Sequence, residues 1–473
     1  MPYTGGGGAA LMWDQSYSGF QEANYAQYEL LAKAMTAGSG VNAAQYTGGR
    51  ALSIESLDQT LVNILFTQDE AVLFQLLKKQ SVKSVVHQWD TRTEVGSDDG
   101  AWAAEADNAF STDQTISRNY MTVSFLQTLR TVTLQASLTN MIEDAVALEK
   151  DAGTRWLIRN VEKGIIYGNT AFVPQQPVGF KYSIPTDSVH TLDLRGQAPN
   201  TSVIEQLITA GAQGIRQNYG RGDLLLTSPA AMTDLQALLR DRLRFPPQAQ
   251  GLGGAIFTEY PTPFGSPKIK EDIFLLEGST PVASTLTTYA PSAPSIGTIT
   301  AATGVTGSQF TASDAGQYYY VVVATSKYGD SVASSAVQSP AVASGGSLTL
   351  PVTAGATVGT AYKVYRSEVG ATSGTNALYA FTVAYTASPQ SIVDLNADLP
   401  GCSDMYLLTL SPQYNAVEWV QFLPMMKFDL YPTSSAVIPF LMLLFGGMAL
   451  KKPVQHVRIK NVNPTGGPAN GWF

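Results

Sequence analysis

Two strand-like runs separated by a polar tip constrain this chain more than anything else in it. The first run is Ser81-Val82-Lys83-Ser84-Val85-Val86-His87-Gln88-Trp89, and the tip is Glu94-Val95-Gly96-Ser97-Asp98-Asp99-Gly100. On the return, Met121, Val123 and Phe125 alternate with Thr122 and Ser124, the period-two signal of a half-buried strand. With roughly 15–20 residues per arm, such a hairpin reaches about 50–65 Å at about 3.3 Å per residue. Two strands alone are marginal in water, so a hairpin of this reach needs a partner surface. It points to a chain built to touch its neighbours.

A long helix is predicted next, over residues 139–167. Asn140 and Glu143 fit a capping box. Met141, Ala145, Leu148, Ala152, Trp156, Ile158, Val161 and Ile165 keep helical spacing. The span is about 43 Å at 1.5 Å per residue. Gly153 and Gly164 interrupt the pattern and mark close packing or a bend.

Around this pair the chain is punctuated clearly. Residues 1–50, with glycines at 5 to 8 and apolar spacing from Phe20 to Met35, read as an arm without a core of its own. Residues 51–82 hold a leading helix with stripes at Leu57, Leu61, Ile64 and Leu65, then Val72, Leu73, Leu76 and Leu77. After the long helix, Val203–Arg216 predicts a helix and Asp223–Thr227 a short buried strand. Ser228-Pro229 then opens a helix through Leu239, with Pro in a favoured first-turn position. Phe245-Pro246-Pro247 and the glycines that follow form a loop.

The composition changes near Gly278. Between Pro281 and Pro400 only eight charged residues occur in 120, although the chain has 29 basic and 37 acidic residues. That segment also lacks Trp, His, Cys and Met. Its short β-prone runs, Tyr318–Ala324, Ser331–Val337, Leu348–Val352, Tyr362–Tyr365 and Leu378–Val383, predict a β-sandwich. Strand patterns resume at Met405–Leu410, Val417–Leu423 and Val457–Val462, so residues 281–400 read as a module inserted into a host domain. The uncharged run Leu430–Leu450 is broken by Pro432, Pro439 and Gly446-Gly447, and it reads as buried strands rather than a membrane span.

Little in the chain points to chemistry. The net charge of −8 argues against a dedicated nucleic-acid binder. One cysteine, Cys402, excludes a disulfide framework, and His87, His190 and His456 are too scattered for a metal site. No nucleophile elbow, P-loop or dinucleotide fingerprint is present, and the start lacks the basic and apolar regions of a signal peptide. No catalytic residue, cofactor or metal is therefore expected. The candidate contact residues are polar ones on predicted surfaces: Arg92, Glu94, Asp98, Asp99 and Glu105 on the hairpin, and Arg240, Arg242 and Arg244 at a helix end. The arginine cluster reads either as a solvated helix terminus favoured by the dipole or as a salt-bridging surface between subunits.

The order of arm, leading helix, long hairpin, long helix and an α+β section closed by C-terminal strands resembles the major capsid proteins of tailed bacteriophages with the Hong Kong 97-type fold. Ala51-Leu52-Ser53-Ile54-Glu55-Ser56-Leu57-Asp58, Ile165-Ile166-Tyr167-Gly168-Asn169, Phe445-Gly446-Gly447 and Pro453-Val454-Gln455-His456-Val457 add local likeness. The resemblance makes residues 83–135 the E-loop, residues 139–167 the spine helix, and 136–280 with 401–473 the peripheral and axial domains. Tyr320-Val321-Val322-Val323-Ala324, Tyr328-Gly329-Asp330-Ser331 and Tyr362-Lys363-Val364-Tyr365-Arg366-Ser367 make the insert similar to an immunoglobulin or fibronectin type III module.

The resemblance implies a shell of hexamers and pentamers that encloses double-stranded DNA without reading its sequence. It also implies portal, scaffold or decoration partners, no membrane, assembly in the host cytoplasm, and an insert displayed on the virion surface. Some family members weld their shells through a lysine in the hairpin. Here no lysine lies between Lys83 and Lys150, so no such crosslink is expected. An encapsulin-type compartment is the alternative within the fold, and a β-sandwich surface adhesin the alternative outside it.

Overall fold

The computed structural model describes residues 70–92, 102, 105, 114–138, 144–242, 257–275, 278–432 and 435–465. The expected arm, most of the leading helix, the hairpin tip, the Asn140/Glu143 capping box and the Phe245-Pro246-Pro247 loop lie outside these residues. The chain runs α1 (Val72–Leu76), β1 (Lys79–Ser81), β2 (Val86–Arg92), β3 (Ile116–Thr122), β4 (Ser124–Thr133), α2 (Leu134–Leu138) and α3 (Ala145–Tyr167). It continues through α4 (Phe180–Ser183), β5 (Thr191–Asp193), α5 (Ser202–Gln217), β6 (Leu224–Thr227), α6 (Pro229–Arg242) and β7 (Lys268–Glu271). Short strands follow: β8 (Ser295–Ile296), β9 (Thr300–Ala302), β10 (Tyr319–Ser326), β11 (Gly329–Asp330), β12 (Val337–Gln338), β13 (Ser347–Thr353), β14 (Ala361–Arg366), β15 (Leu378–Ala384) and β16 (Gln390–Asp394). The last strands are β17 (Ser403–Leu408), β18 (Val417–Asp429), β19 (Val437–Leu450) and β20 (Val457–Val462).

The long helix is shorter at its start than its spacing predicts. It begins at Ala145, where Asp144 caps it by accepting the Val146 N–H at 3.1 Å. Its buried stripe is Leu157, Ile158, Val161, Ile165 and Ile166, with Gly153 and Gly164. Leu148 and Trp156, expected on that stripe, are exposed. Gly153 explains the shift: a Cβ there would collide with Met442 Sδ, so the helix lies close against β19 at this point.

The predicted return strand also divides. β3 pairs only with β2, from Val86↔Thr122 to Arg92↔Ile116. Val123 turns its N–H to Val85 O at 2.8 Å, and β4 then joins a different sheet in the order β1-β18-β19-β4. Val123 and Ser124 are both buried, so the alternation changes phase and Phe125 faces outward instead of inward. The leading segment changes character too: it leaves the helix after Leu76, and Lys79–Ser81 run parallel to β18 instead of continuing the turn.

The second sheet has the order β5-β20-β17-β6-β7, and its strands β17 and β6 are buried on both faces. Leu224 and Leu226 join a core with Leu157, Val161, Phe180, Trp419 and Phe440. Leu225 points the other way, to Ile208, Ile215 and Leu235 of α5 and α6. Burial on two sides is why β6 reads as an unbroken apolar run. The chain leaves this sheet after β7 and re-enters it at β17, beside β6. Between the two, β8 to β16 form two sheets, one with the path β11-β10-β14-β15 and the other with β16-β13-β8. Tyr320, Val322, Tyr362 and Val364 of one pack on Leu348, Leu350, Val352 and Ile392 of the other.

Ser331–Val337, expected as a strand, is not one except at its end. Serine hydroxyls take half of the ladder there, while Ser331 N and Ser334 N still donate to Ala324 O and Val322 O. Ala324 N donates to Ser331 Oγ at 3.0 Å and Val322 N to Ser334 Oγ at 2.9 Å, which satisfies the β10 donors with side chains. Where buried strands were expected within Leu430–Leu450, one strand, β19, is present, and over most of its length only alternate residues are buried; no helix among the described residues is long and apolar enough to cross a membrane.

Candidate assembly surfaces

The first surface is the outer face of the β1-β18-β19-β4 sheet. Side chains at paired positions share a face, so the register identifies it. Phe125 lies opposite Phe445, Leu129 opposite Leu441, Leu441 opposite Phe428, and Leu443 opposite Met426. The Phe125 and Phe445 rings meet edge to face at 4.9 Å. Phe125 is 52% exposed, Leu129 58% and Phe428 53%. The alternate residues Leu126, Val132, Phe440, Met442 and Leu444 face α3 and the core. A sheet apolar on both faces, with only one covered by its own chain, has the form of an interaction site.

The hairpin stem is the second surface. Asp90 and Arg118 pair across it at 2.8 Å, and the arginine holds the Asp90 carboxyl below its usual range. Thr91 and Ser117 hydroxyls meet at 2.8 Å. Ile116, Tyr120 and Val86 stay exposed on the same stem. Its root rests on a buried carboxylate. Glu418 of β18 binds Lys451 Nζ at 2.5 Å, lies 3.6 Å from His87 Nε2, and accepts from the Gln80 amide once that amide is turned to donate. Three separate chain segments thus converge on one charge where the hairpin leaves the body.

Deeper in, Glu162 of α3 joins α1 to the body. Its Oε1 accepts from Leu73 N at 2.7 Å and its Oε2 from Phe74 N at 2.9 Å, satisfying first-turn donors that α1 cannot pair internally. Glu162 lies beside Asp272, just after β7, and the two carboxyls perturb each other. Burial, then the Asp272 charge, push the Glu162 carboxyl well above the usual range, and burial also raises Asp272. Two carboxyls this close and this dry disfavour charging both at once.

A charged seam joins the two-sheet segment to the body. Arg195 donates to Gln309 Oε1 at 2.6 Å and to Gln309 O at 2.7 Å, and Lys460 Nζ donates to Ala397 O at 2.7 Å. Within the body sheet beside this seam, Arg458 of β20 binds Asp404 of β17 at 3.0 Å; burial raises the Asp404 carboxyl, but Arg458 and Lys181 hold it below its ordinary value.

Of the residues chosen from sequence, Arg92 is exposed and donates to Gln114 Oε1 at 3.2 Å. Glu105 is exposed, and Arg240 is exposed with its Nε on Gln236 O at 3.4 Å. Arg242 is the last residue of α6, while Glu94, Asp98, Asp99 and Arg244 lie outside the described residues. No hydrogen bond or ion pair joins Arg92, Glu105 and Arg240 to one another. Sequence reasoning missed the Phe125–Leu129–Phe428 face and the Glu162–Asp272 pair. A signal existed for each: the adjacent apolar pair Phe125-Leu126, and a glutamate inside an apolar helical stripe.

The family model for the SU10 major capsid protein matches residues 35–328, more than half of the chain. The chain belongs to this capsid protein family. It is a phage major capsid protein, whose work is to associate with its own copies in the virion shell. Among solved structures, it is similar to the capsid of a native GTA particle, with 9% identity, 89% of this chain and 100% of that one covered, and a TM-score of 0.47. It is also similar to a Gordonia phage Cozz structure, at 11% identity, 90% and 96% coverage and a TM-score of 0.46. The holo-SrpI encapsulin complex from Synechococcus elongatus PCC 7942 matches at 8% identity, 88% and 95% coverage and a TM-score of 0.43. No curated protein matches the capsid protein in sequence.

Proposed function

We propose that this capsid protein has the Hong Kong 97-type fold and builds the icosahedral head of a tailed phage from hexamers and pentamers. The head encloses double-stranded DNA by confinement rather than by sequence recognition. The observation that carries the reading is the apolar outer face at Phe125, Leu129 and Phe428, on a sheet whose other face is already filled by the spine helix α3. Contacts repeated around a closed ring let weak individual interfaces suffice. The acidic balance of −8 suits a wall that must not hold the genome it later releases. The hairpin serves as a noncovalent strap between subunits, and Arg92, Glu94, Asp98, Asp99, Glu105, Arg240, Arg242 and Arg244 remain proposed contacts.

Residues 281–400 act as an inserted immunoglobulin-like module, displayed outward and held rigidly by the Arg195 and Lys460 contacts. Portal, scaffold and decoration proteins complete the assembly, which takes place in the host cytoplasm. The test is to express the full chain and image it by negative-stain electron microscopy. Hollow shells or hexameric rings are expected, and Leu129→Glu with Phe428→Glu leaves folded monomer. A stable monomer of the unaltered chain at high concentration refutes the reading. Shells that purify with an enzyme cargo rather than DNA favour an encapsulin-type compartment.

A further inference from the structure

A groove with an excess of basic side chains lies apart from the apolar face. It has a volume of about 470 Å³ and sits between α1 and the edge of the second sheet, lined in part by Leu76, Arg221, Lys268, Lys270 and Leu410. Lys268 and Lys270 are two residues apart on β7 and project from one face, while Ile269 between them is buried on the other. Arg221 leads into β6 and packs along Gly265, where a Cβ would lie 2.9 Å from its Nε. Gly265 has a φ of 147°, so a side chain there would strain the backbone as well. All three cations are exposed, and none is ion-paired among the described residues. Asp223 is the carboxylate among the lining residues, and its Oδ2 already accepts the Ser411 N–H at 2.9 Å.

Three cations face one carboxylate, Asp223, which feels the Arg221 charge, and that excess is unusual for a chain of net charge −8. The complementary charge lies in the same sequence. Between Arg92 and Arg118 stand Glu94, Asp98, Asp99, Glu105, Asp107 and Asp113, with no lysine or arginine among them. Concave walls focus the field of grouped charges and steer an oppositely charged segment toward them. In a protein whose task is self-association, the available acidic segment is that of a neighbouring copy.

Resting on the capsid reading, we infer that the Arg221–Lys268–Lys270 groove receives the acidic hairpin segment, residues 93–115, of a second copy. The contact is a set of exposed charge pairs, each individually weak, so the strap is adjustable and salt-sensitive. Its place in the shell is then decided by charge, while the apolar sheet face supplies burial.

Carbodiimide joins amines to carboxylates without a spacer. Applied to shells assembled from a mixture of ordinary and nitrogen-15-labelled chains, it is expected to join Lys268 or Lys270 to a carboxylate between Glu94 and Asp113 in mixed-isotope pairs. Links from these lysines to carboxylates of residues 1–69 instead, or none while other intersubunit links form, overturn the assignment. In parallel, Lys268→Glu with Lys270→Glu lowers shell yield by about tenfold at about 150 mM salt, where the screening length is roughly 8 Å. Adding Asp98→Lys and Asp99→Lys to that chain restores most of the yield. Wild-type yield from the groove reversal alone refutes the inference. If the unaltered chain makes neither shells nor rings, the capsid reading has failed, and that outcome is distinct from the others.

Discussion

Asp272→Asn separates the electrostatic role of the buried carboxyl pair from its hydrogen-bonding role. Asp272 Oδ1 accepts the Phe274 N–H at 2.8 Å, and Oδ2 is buried with no hydrogen-bond partner, beside the Glu162 carboxyl. Both carboxyls are raised in the fold, Glu162 the more strongly. A raised acid favours the folded state fully below its unfolded value, and that stability is lost as pH rises through the folded value. Across that window the native state holds about one more proton than the unfolded chain, so stability falls by about 1.4 kcal/mol per pH unit. Asparagine keeps the Oδ1 acceptor and puts an N–H donor where Oδ2 stood, so Glu162 is satisfied without the extra proton. For each pH unit above the unfolded carboxylate range and below the raised folded value, the variant should lose less stability than the parent, by up to about 1.4 kcal/mol and short of that because Glu162 remains buried.

Urea unfolding of the unassembled chain at several pH values measures this change. Tryptophan emission serves as the probe, since Trp419 is buried with its ring 5.4 Å from that of Phe74, beside the pair. Equal slopes of stability against pH in parent and variant would refute the carboxyl-pair argument. Glu162→Gln is the control. It leaves one of the Leu73 and Phe74 donors without an acceptor, at a cost of about 1–3 kcal/mol that persists at every pH.

Three further outcomes are expected. Arg366→Met strands Asp394, which Arg366 contacts at 2.6 Å and Tyr320 OH at 2.7 Å in a buried site. The loss is about 3–5 kcal/mol, and hydrogen exchange should show it confined to residues 295–394. Gly446→Ala brings a Cβ to 2.7 Å from the Trp419 ring, so thermal unfolding should show a cost of about 1–3 kcal/mol. Burial pushes His456 down to about 3, and its Nδ1 accepts the Thr409 N–H. Its stabilisation is present above its unfolded value of about 6.5 and is lost as pH falls toward the folded one. An acid titration should lose that component in His456→Asn, which retains an acceptor.

The parts legible in the sequence were those with local signals. Leu224–Thr227 was readable as a buried strand because sheet burial on both faces leaves a run with no polar break. The start of α6 was readable because Ser228-Pro229 is a helix entry in any context. The Ser331–Val337 reading failed because its serines bond sideways to β10, a choice that depends on having β10 alongside. The candidate contacts rested on charge and predicted exposure. Such reasoning finds polar tips, but it passes over an apolar face whose exposure depends on strand phase.

Composition and periodicity by themselves determined that this chain is α+β, that a hairpin stem is followed by a long helix, and that a charge-poor β-rich stretch interrupts the host. These are properties of neighbouring residues, and local sterics and patterning set them. Only the tertiary structure decided which side of each element is inside. Phe125 points outward because Val123 leaves one sheet and Ser124 enters another. The Glu162 carboxyl is raised because a helix and a distant strand end bring it, buried, beside Asp272 in a space too dry for two charges. Burial belongs to pairs of surfaces, and a chain read from end to end shows only one surface at a time.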